Sequence, residues 1–324
     1  MTIPRLRAVF LGTPAFAVPS LRALLTVSEV IAVVTQSDKP KGRGRRTEPP
    51  PIAVFARERG LRVLQPARLR SGDVVATLRD LAPDVIVTVA YGKIIPKDIL
   101  DLPPRGAVNV HPSLLPKYRG ASPIQAVLRD GGRETGVTIM YQSMELDAGD
   151  IILQRRVPID PSDTAHTLEE KLAQAGAEAL VEALGLIREG RAPRRPQDPS
   201  QATYVGKLGK EDGRIDWSQP AARLADFIRA MDPWPSAYTR HRTEMLKIWK
   251  ADVVTGAGAP GTVVEVRRGQ GFVVGTGKGG LLILEVQPEG RRRMSADEYT
   301  RGARLQIGEM LGARDEGASG GPTP

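Results

Sequence analysis

Short apolar runs alternate with stretches of helical spacing through the first half of the chain. Residues 8–11, 30–35 and 84–90 are close to continuous in Val, Ile, Leu and Ala, the pattern of strands covered on both faces. Residues 17–25 and 52–59 carry apolar positions at helical spacing, and 107–111, 136–141 and 151–157 read as further strands. This alternation predicts a doubly wound α/β domain on a mainly parallel sheet, whose ligands sit beyond the carboxyl ends of the strands.

Residues 164–188 carry Leu and Ala at helical spacing and close that domain, expected at 1–189; residues 190–205, rich in Pro, Arg, Gln and Ser, read as a linker. The pattern then changes. A helix over 220–230 is followed by short strands near 245–249, 261–267, 271–276 and 281–286, separated by glycine turns. They predict a smaller OB-like β-barrel over 206–314, and 315–324 has the composition of a flexible tail.

Composition narrows the chemistry. A chain of 324 residues is long enough for two domains that each bury a core, and a formal net charge of +9 suits a polyanionic partner. The absence of cysteine excludes a disulfide scaffold, a thiolate metal site and a cysteine nucleophile. With only three histidines there is little material for a metal centre, and none is expected. The charged N-terminus and the lack of a long apolar run predict a cytoplasmic protein. Phe10-Leu11-Gly12-Thr13 places a glycine after the first strand, yet the second and third glycines of a dinucleotide fingerprint are missing, so no nicotinamide is expected.

The segment Gly106-Ala107-Val108-Asn109-Val110-His111-Pro112-Ser113-Leu114-Leu115-Pro116-Lys117-Tyr118-Arg119-Gly120 carries the candidate chemistry. In an extended chain residues i and i+2 share a side, so Asn109 and His111 can present an amide donor and an imidazole to one reacting atom. Asp147, in Leu146-Asp147-Ala148-Gly149-Asp150, is the acid available to orient the imidazole and favour its charged form. An Asn, a His and an Asp without a nearby Ser or Cys nucleophile point to direct acyl transfer. Each has a plainer reading, as a strand-end cap, a core histidine and a turn cap. His166 and His241 lie outside any such context and receive no role.

This constellation resembles the folate-dependent formyltransferases, in which Asn-x-His-x-Ser-Leu-Leu-Pro is paired with a downstream Leu-Asp-x-Gly. The resemblance implies 10-formyltetrahydrofolate as formyl donor, held by Ser113, Leu114, Leu115 and Pro116, and an acceptor pocket shaped by Phe16; Tyr91 and Gly92, at the end of the strand over 84–90, border the same crevice and are expected to join the folate site. Lys39, Lys41, Arg43, Arg45 and Arg46 crowd one glycine-containing loop, which is similar to the inserted loop that methionyl-tRNA formyltransferases use on the acceptor stem. Asp212 to Trp217 and Arg229 to Thr239 look like the same group of enzymes, so the resemblance covers nearly the whole chain. It implies initiator Met-tRNA as the acceptor. A monomer is expected, and the cations of the barrel, Lys247 and Lys250 with Arg267, Arg268 and 291–293, are candidate phosphate contacts because OB-like barrels often bind nucleic acid. The rivals are formylation of a small amine, a non-catalytic RNA-binding module, and hydrolysis of the formyl donor. The basic loop argues against the first, and the Asn-His-Asp set against the second.

Overall fold

The computed structural model describes residues 4–41, 46–256 and 258–312, with the backbone alone at 40, 41 and 46. The chain divides into two compact units, the first formed by residues up to Ile124, by Arg133–Pro161 and by Thr167–Gly206, the second by Gln125–Gly132, Ser162–His166 and the chain from Lys207.

In the first unit β1 (Leu6–Gly12), α1 (Val18–Val27) and β2 (Ser28–Val34) lead into a small hairpin of β3 (Lys39–Lys41) and β4 (Arg46–Glu48). The chain continues through α2 (Pro51–Arg57), β5 (Val63–Leu64), α3 (Gly72–Asp80), β6 (Val85–Val89), α4 (Lys97–Leu100), β7 (Ala107–His111) and β8 (Arg119–Gly120). After α5 (Pro123–Arg129) come β9 (Glu134–Tyr141), β10 (Ile151–Pro158), the long α6 (Ala165–Arg188) and β11 (Tyr204–Val205).

Seven strands form one sheet in the order β10-β9-β7-β6-β1-β2-β5. The five from β5 to β7 are parallel, as the apolar runs predict, whereas β9 and β10 are antiparallel. The strand order reverses beside β1, which puts the crevice of a doubly wound sheet at the exits of β1 and β6. Every residue of β6 is buried. One face of the sheet carries Val9, Leu11, Ala32, Val34 and Ile86, packed with Leu78 and Ile99. On the other, Gly176 of α6 lets the helix approach β7 closely, since a Cβ there would stand 2.8 Å from Val110 Cγ1.

The segment read as a linker, 190–205, lies within the first unit. Arg195 pairs with Ile151 at the start of β10, and β11 pairs in parallel with β8. Composition marks a chain without a core of its own, and backbone pairing and one buried side chain, Gln197, still anchor it.

The second unit contains α7 (Ala221–Ala230), β12 (Ala237–His241), β13 (Glu244–Val254), β14 (Val263–Arg267), β15 (Gly271–Gly275), β16 (Gly280–Pro288), β17 (Met294–Ser295) and α8 (Ala296–Ala303). The strands form an antiparallel sheet in the order β12-β13-β16-β15-β14, with β17 on β16. Its edges meet through one segment. Leu311 bridges His241 at the end of β12 while Met310 bridges Thr262 beside β14, which closes the sheet into the predicted barrel. Sequence reading missed β12, whose burial alternates regularly but whose inward positions include the polar Thr239 and His241, so no apolar alternation marks it. The predicted tail, 315–324, lies outside the described residues.

Candidate active site

Asn109 and His111 share a face of β7, opposite Met140 and Thr138 of β9. On the other side Thr88 of β6 stands against Asn109 in register. Its hydroxyl lies 2.9 Å from Asn109 Oδ1 and 3.0 Å from Val108 O. A hydroxyl facing the amide oxygen turns Asn109 Nδ2, the donor, away from β6.

His111 is 4% exposed. Its Nε2 is 3.0 Å from Tyr118 O, and a carbonyl can only accept, so the ring proton sits on Nε2 and Nδ1 faces Asp147 Oδ2 at 3.7 Å. Burial pushes the His111 pKa below its usual value; the Asp147 charge and the bond to Tyr118 oppose this and lose. The Asp147 charge does favour the charged imidazole; what the sequence did not show is the desolvation that outweighs it in the free protein and favours the neutral ring.

Asp147 comes from the loop between β9 and β10. Its backbone lies in the left-handed region, φ 49°, and its Oδ2 accepts from Gly120 N at 2.8 Å. Two residues on, a Cβ at position 149 would stand 1.8 Å from Tyr141 O, so only glycine fits. The three side chains singled out in the sequence are thus brought together from two separated segments, with a neutral amide donor, a buried imidazole and a carboxylate.

The Ser-Leu-Leu-Pro segment packs beside them. Ser113 is fully buried and its hydroxyl donates to Lys117 O at 2.7 Å. Thr138 Oγ1 donates to Ser113 O and receives Leu115 N, and Gln154 Nε2 donates to Leu115 O. Leu115 is buried with Met140 and Ile151, while Leu114 and Pro116 remain partly exposed. Tyr91 is buried in the core, where loss of hydration pushes its phenol up to about 12. Its carbonyl accepts from Thr13 Oγ1 and Gln36 Nε2, tying the exits of β1, β2 and β6 together. Gly92 is exposed at positive φ, and Ile94 beyond it is 81% exposed.

Phe16 is buried. A groove of about 640 Å³ at the exit of β1 is lined instead by Thr13, Pro14, Val18, Gln36, Val54 and Phe55, with Lys39 and Glu48 of the hairpin at its rim. Lys39 Nζ donates to Gln36 Oε1 at 2.6 Å. The candidate contacts Arg43 and Arg45, and the side chains of Lys41 and Arg46, lie outside the described residues. In the barrel Lys247 Nζ is 3.4 Å from Ser236 Oγ, and Lys250 is exposed. Arg267, Arg292 and Arg293 already face carboxylates, those of Glu265, of Glu298, and of Asp232 and Glu285.

Three contributors escaped sequence reading. Thr88 could have been found as the hydroxyl inside an apolar strand, and Arg119 as a charge inside the quoted motif; nothing marks Gln197.

Residues 6–184 match the family described as Formyl transferase, and 207–304 match Formyl transferase, C-terminal domain. The chain belongs to the formyl transferase family. A relative named Methionyl-tRNA formyltransferase from Moorella thermoacetica is 48% identical over 310 residues, 95% of this chain and 99% of its own length. One of the same name from Geotalea daltonii is 43% identical over 311 residues, 96% and 99% of the two chains. Among solved structures, HypX from Aquifex aeolicus in complex with tetrahydrofolic acid shares the fold: TM-score 0.63 and 19% identity, covering 94% of this chain and 49% of that one. This family member is a formyltransferase enzyme, and among its described residues no helix is long and apolar enough to cross a membrane.

Proposed function

We propose that the enzyme moves a formyl group from 10-formyltetrahydrofolate to the α-amine of methionine on initiator Met-tRNA. The observation that carries this reading is the meeting of Asn109, His111 and Asp147 in a chain whose near-full-length relatives bear that activity in their names. The neutral amine attacks the formyl carbon, and the carbonyl oxygen takes on charge in the tetrahedral adduct. Asn109 Nδ2, held by Thr88, donates to that oxygen, a contribution of about 3 kcal/mol or roughly a hundredfold in rate. Collapse of the adduct breaks the bond to the folate nitrogen. One proton leaves the amine and one is gained by the leaving nitrogen; Asp147 receives it and His111, beside the carboxylate, shares it. The neutral resting imidazole suits that duty, because it has room for a proton.

For the folate, Gly92 leaves backbone open at the exit of β6, and the exposed Ile94 and Leu146 offer apolar surface to a flat ring system. Partly exposed Leu114 and Pro116 add to it, and buried Ser113, Leu115 and Tyr91 shape the wall behind. The groove at the exit of β1 takes the acceptor end, with Phe16 supporting it from the core. The basic hairpin and Lys247 and Lys250 of the barrel meet tRNA phosphates, an affinity that falls with salt. We assign catalysis to 1–189 and tRNA binding to 206–314, in a cytoplasmic monomer.

The test is transfer of labelled formyl from 10-formyltetrahydrofolate to initiator and elongator Met-tRNA by wild type, Asn109→Ala and Asp147→Asn. Transfer restricted to the initiator and lost in both variants supports the reading. A folded protein that binds tRNA and transfers nothing overturns it.

A further inference from the structure

We infer that Gln197 is a positioning residue that holds Asp147 in its working geometry, through a clamp shared with Arg119. This rests on the reading of Asp147 given above. Gln197 is 9% exposed, and both ends of its amide are used. Nε2 donates to Asp147 O at 2.8 Å and to Gly149 O at 2.9 Å. Oε1 accepts from Arg119 Nε at 3.1 Å and from Nη2 at 2.9 Å.

The clamp acts where the loop needs it. Asp147 occupies a left-handed conformation that a non-glycine residue adopts only when its surroundings impose it. Two donors on the carbonyls on either side of Ala148 impose it, and the carboxylate is thereby aimed at Gly120 N and His111 Nδ1. Arg119, 2% exposed, fixes the other end: its backbone N donates to Thr203 O at 2.8 Å and its Nη1 reaches Tyr204 Oη at 3.0 Å. Gly120, the partner of the carboxylate, pairs with Val205 of β11. The Pro-rich segment 190–206 therefore touches both the loop that carries Asp147 and the strand that orients it. The geometry demands an amide. Only a side chain with two donors on one atom and an acceptor on the other, at this length, meets two carbonyls and a guanidinium at once.

Gln197→Glu in the full chain separates this role from packing. It keeps volume and an acceptor for Arg119, and places an oxygen against two carbonyls. The expected result is a kcat lower by about tenfold or more, from the loss of both donated hydrogen bonds in a buried site, with KM for both substrates within about twofold. Amide exchange at Gly120, whose N–H is held by Asp147, accelerates while Val87 in β6 is unchanged. On the residual turnover of Asp147→Asn, adding Gln197→Glu costs nothing further. Wild-type kcat with unchanged Gly120 exchange overturns the inference, as does an equal fractional loss with and without Asp147→Asn. Near-full turnover by Asp147→Asn itself would instead overturn the role given to Asp147. Should Gln197→Glu fail to fold, Gln197→Asn, an amide one methylene short, is read by the same three measurements.

Discussion

The hydroxyl of Thr88 stands 2.9 Å from Oδ1 of Asn109 and 3.0 Å from Val108 O, and by donating to Oδ1 it holds the amide with Nδ2 turned away from β6. An Asn rotated by half a turn would present an acceptor where the adduct needs a donor. Thr88 is 2% exposed in a strand that is otherwise Val and Ile, so its hydroxyl has no hydrophobic reason to be there. Thr88→Val keeps the shape and removes the hydroxyl. The expected cost is up to about 1.5 kcal/mol in transition-state stabilisation, some tenfold in kcat, with little change in melting temperature. Steady-state kinetics beside a thermal melt checks it; an unchanged kcat removes Thr88 from the site.

Gly149 tests the loop from the side of sterics. A methyl at this position would stand 1.8 Å from Tyr141 O, a distance no rotamer relieves, so backbone must move. Gln197 Nε2 bonds both Gly149 O and Asp147 O, so a shift at 149 bears on Asp147. Gly149→Ala should lose both stability, by roughly 1–3 kcal/mol, and most of its turnover. A melt and a transfer assay on the soluble fraction report the two losses together; a stable and fully active Gly149→Ala would show that the loop tolerates displacement.

These two residues also mark where sequence reading stops. Asn109 and His111 were legible because two positions apart on a strand means one face, a rule that needs no tertiary information. The parallel strands were legible because strands covered on both faces are apolar throughout. Pairing direction was not: the runs at 136–141 and 151–157 resemble the others, and only their connection makes β9 and β10 antiparallel. Gln197 was invisible for a different reason. Its neighbours are Pro, Arg, Asp and Ser, which composition assigns to a solvated linker, and its burial depends on carbonyls about fifty positions away in the chain. The opposing effect of burial on His111 was also illegible, because a sequence lists the carboxylate and does not reveal how completely the ring is desolvated.

Glu309 gives the barrel a pH dependence. Burial opposes its ionisation, yet His241 Nε2, both sides of the Arg242 guanidinium and the N–H of Gln306 hold the carboxyl down to about 2. Because the folded value lies below the unfolded one near 4.5, the stabilisation is fully present above 4.5 and is lost as pH falls toward 2. It amounts to at most about 3 kcal/mol for a shift of this size. Glu309 sits in the segment that closes the sheet. Glu309→Gln should lower the melting temperature at neutral pH and flatten its acid dependence; an acid limb as steep as in wild type would place the sensitive group elsewhere.

The basic hairpin makes a quantitative claim about salt. Residues 39–48 hold five cations, Lys39, Lys41, Arg43, Arg45 and Arg46, against one acid, Glu48, and the hairpin springs from the rim of the groove at the exit of β1. Cations that neutralise phosphates release counterions, so each contact contributes slightly less than one unit to the slope of log affinity against log salt. Replacing all five by Ala should flatten that slope by up to roughly four units for the tRNA, with the KM for the folate donor unchanged. Filter binding across a salt series measures the slope. A weaker affinity at unchanged slope would mean that the hairpin acts through shape, and a slope lowered together with folate affinity would mean that the cations serve the donor rather than the RNA.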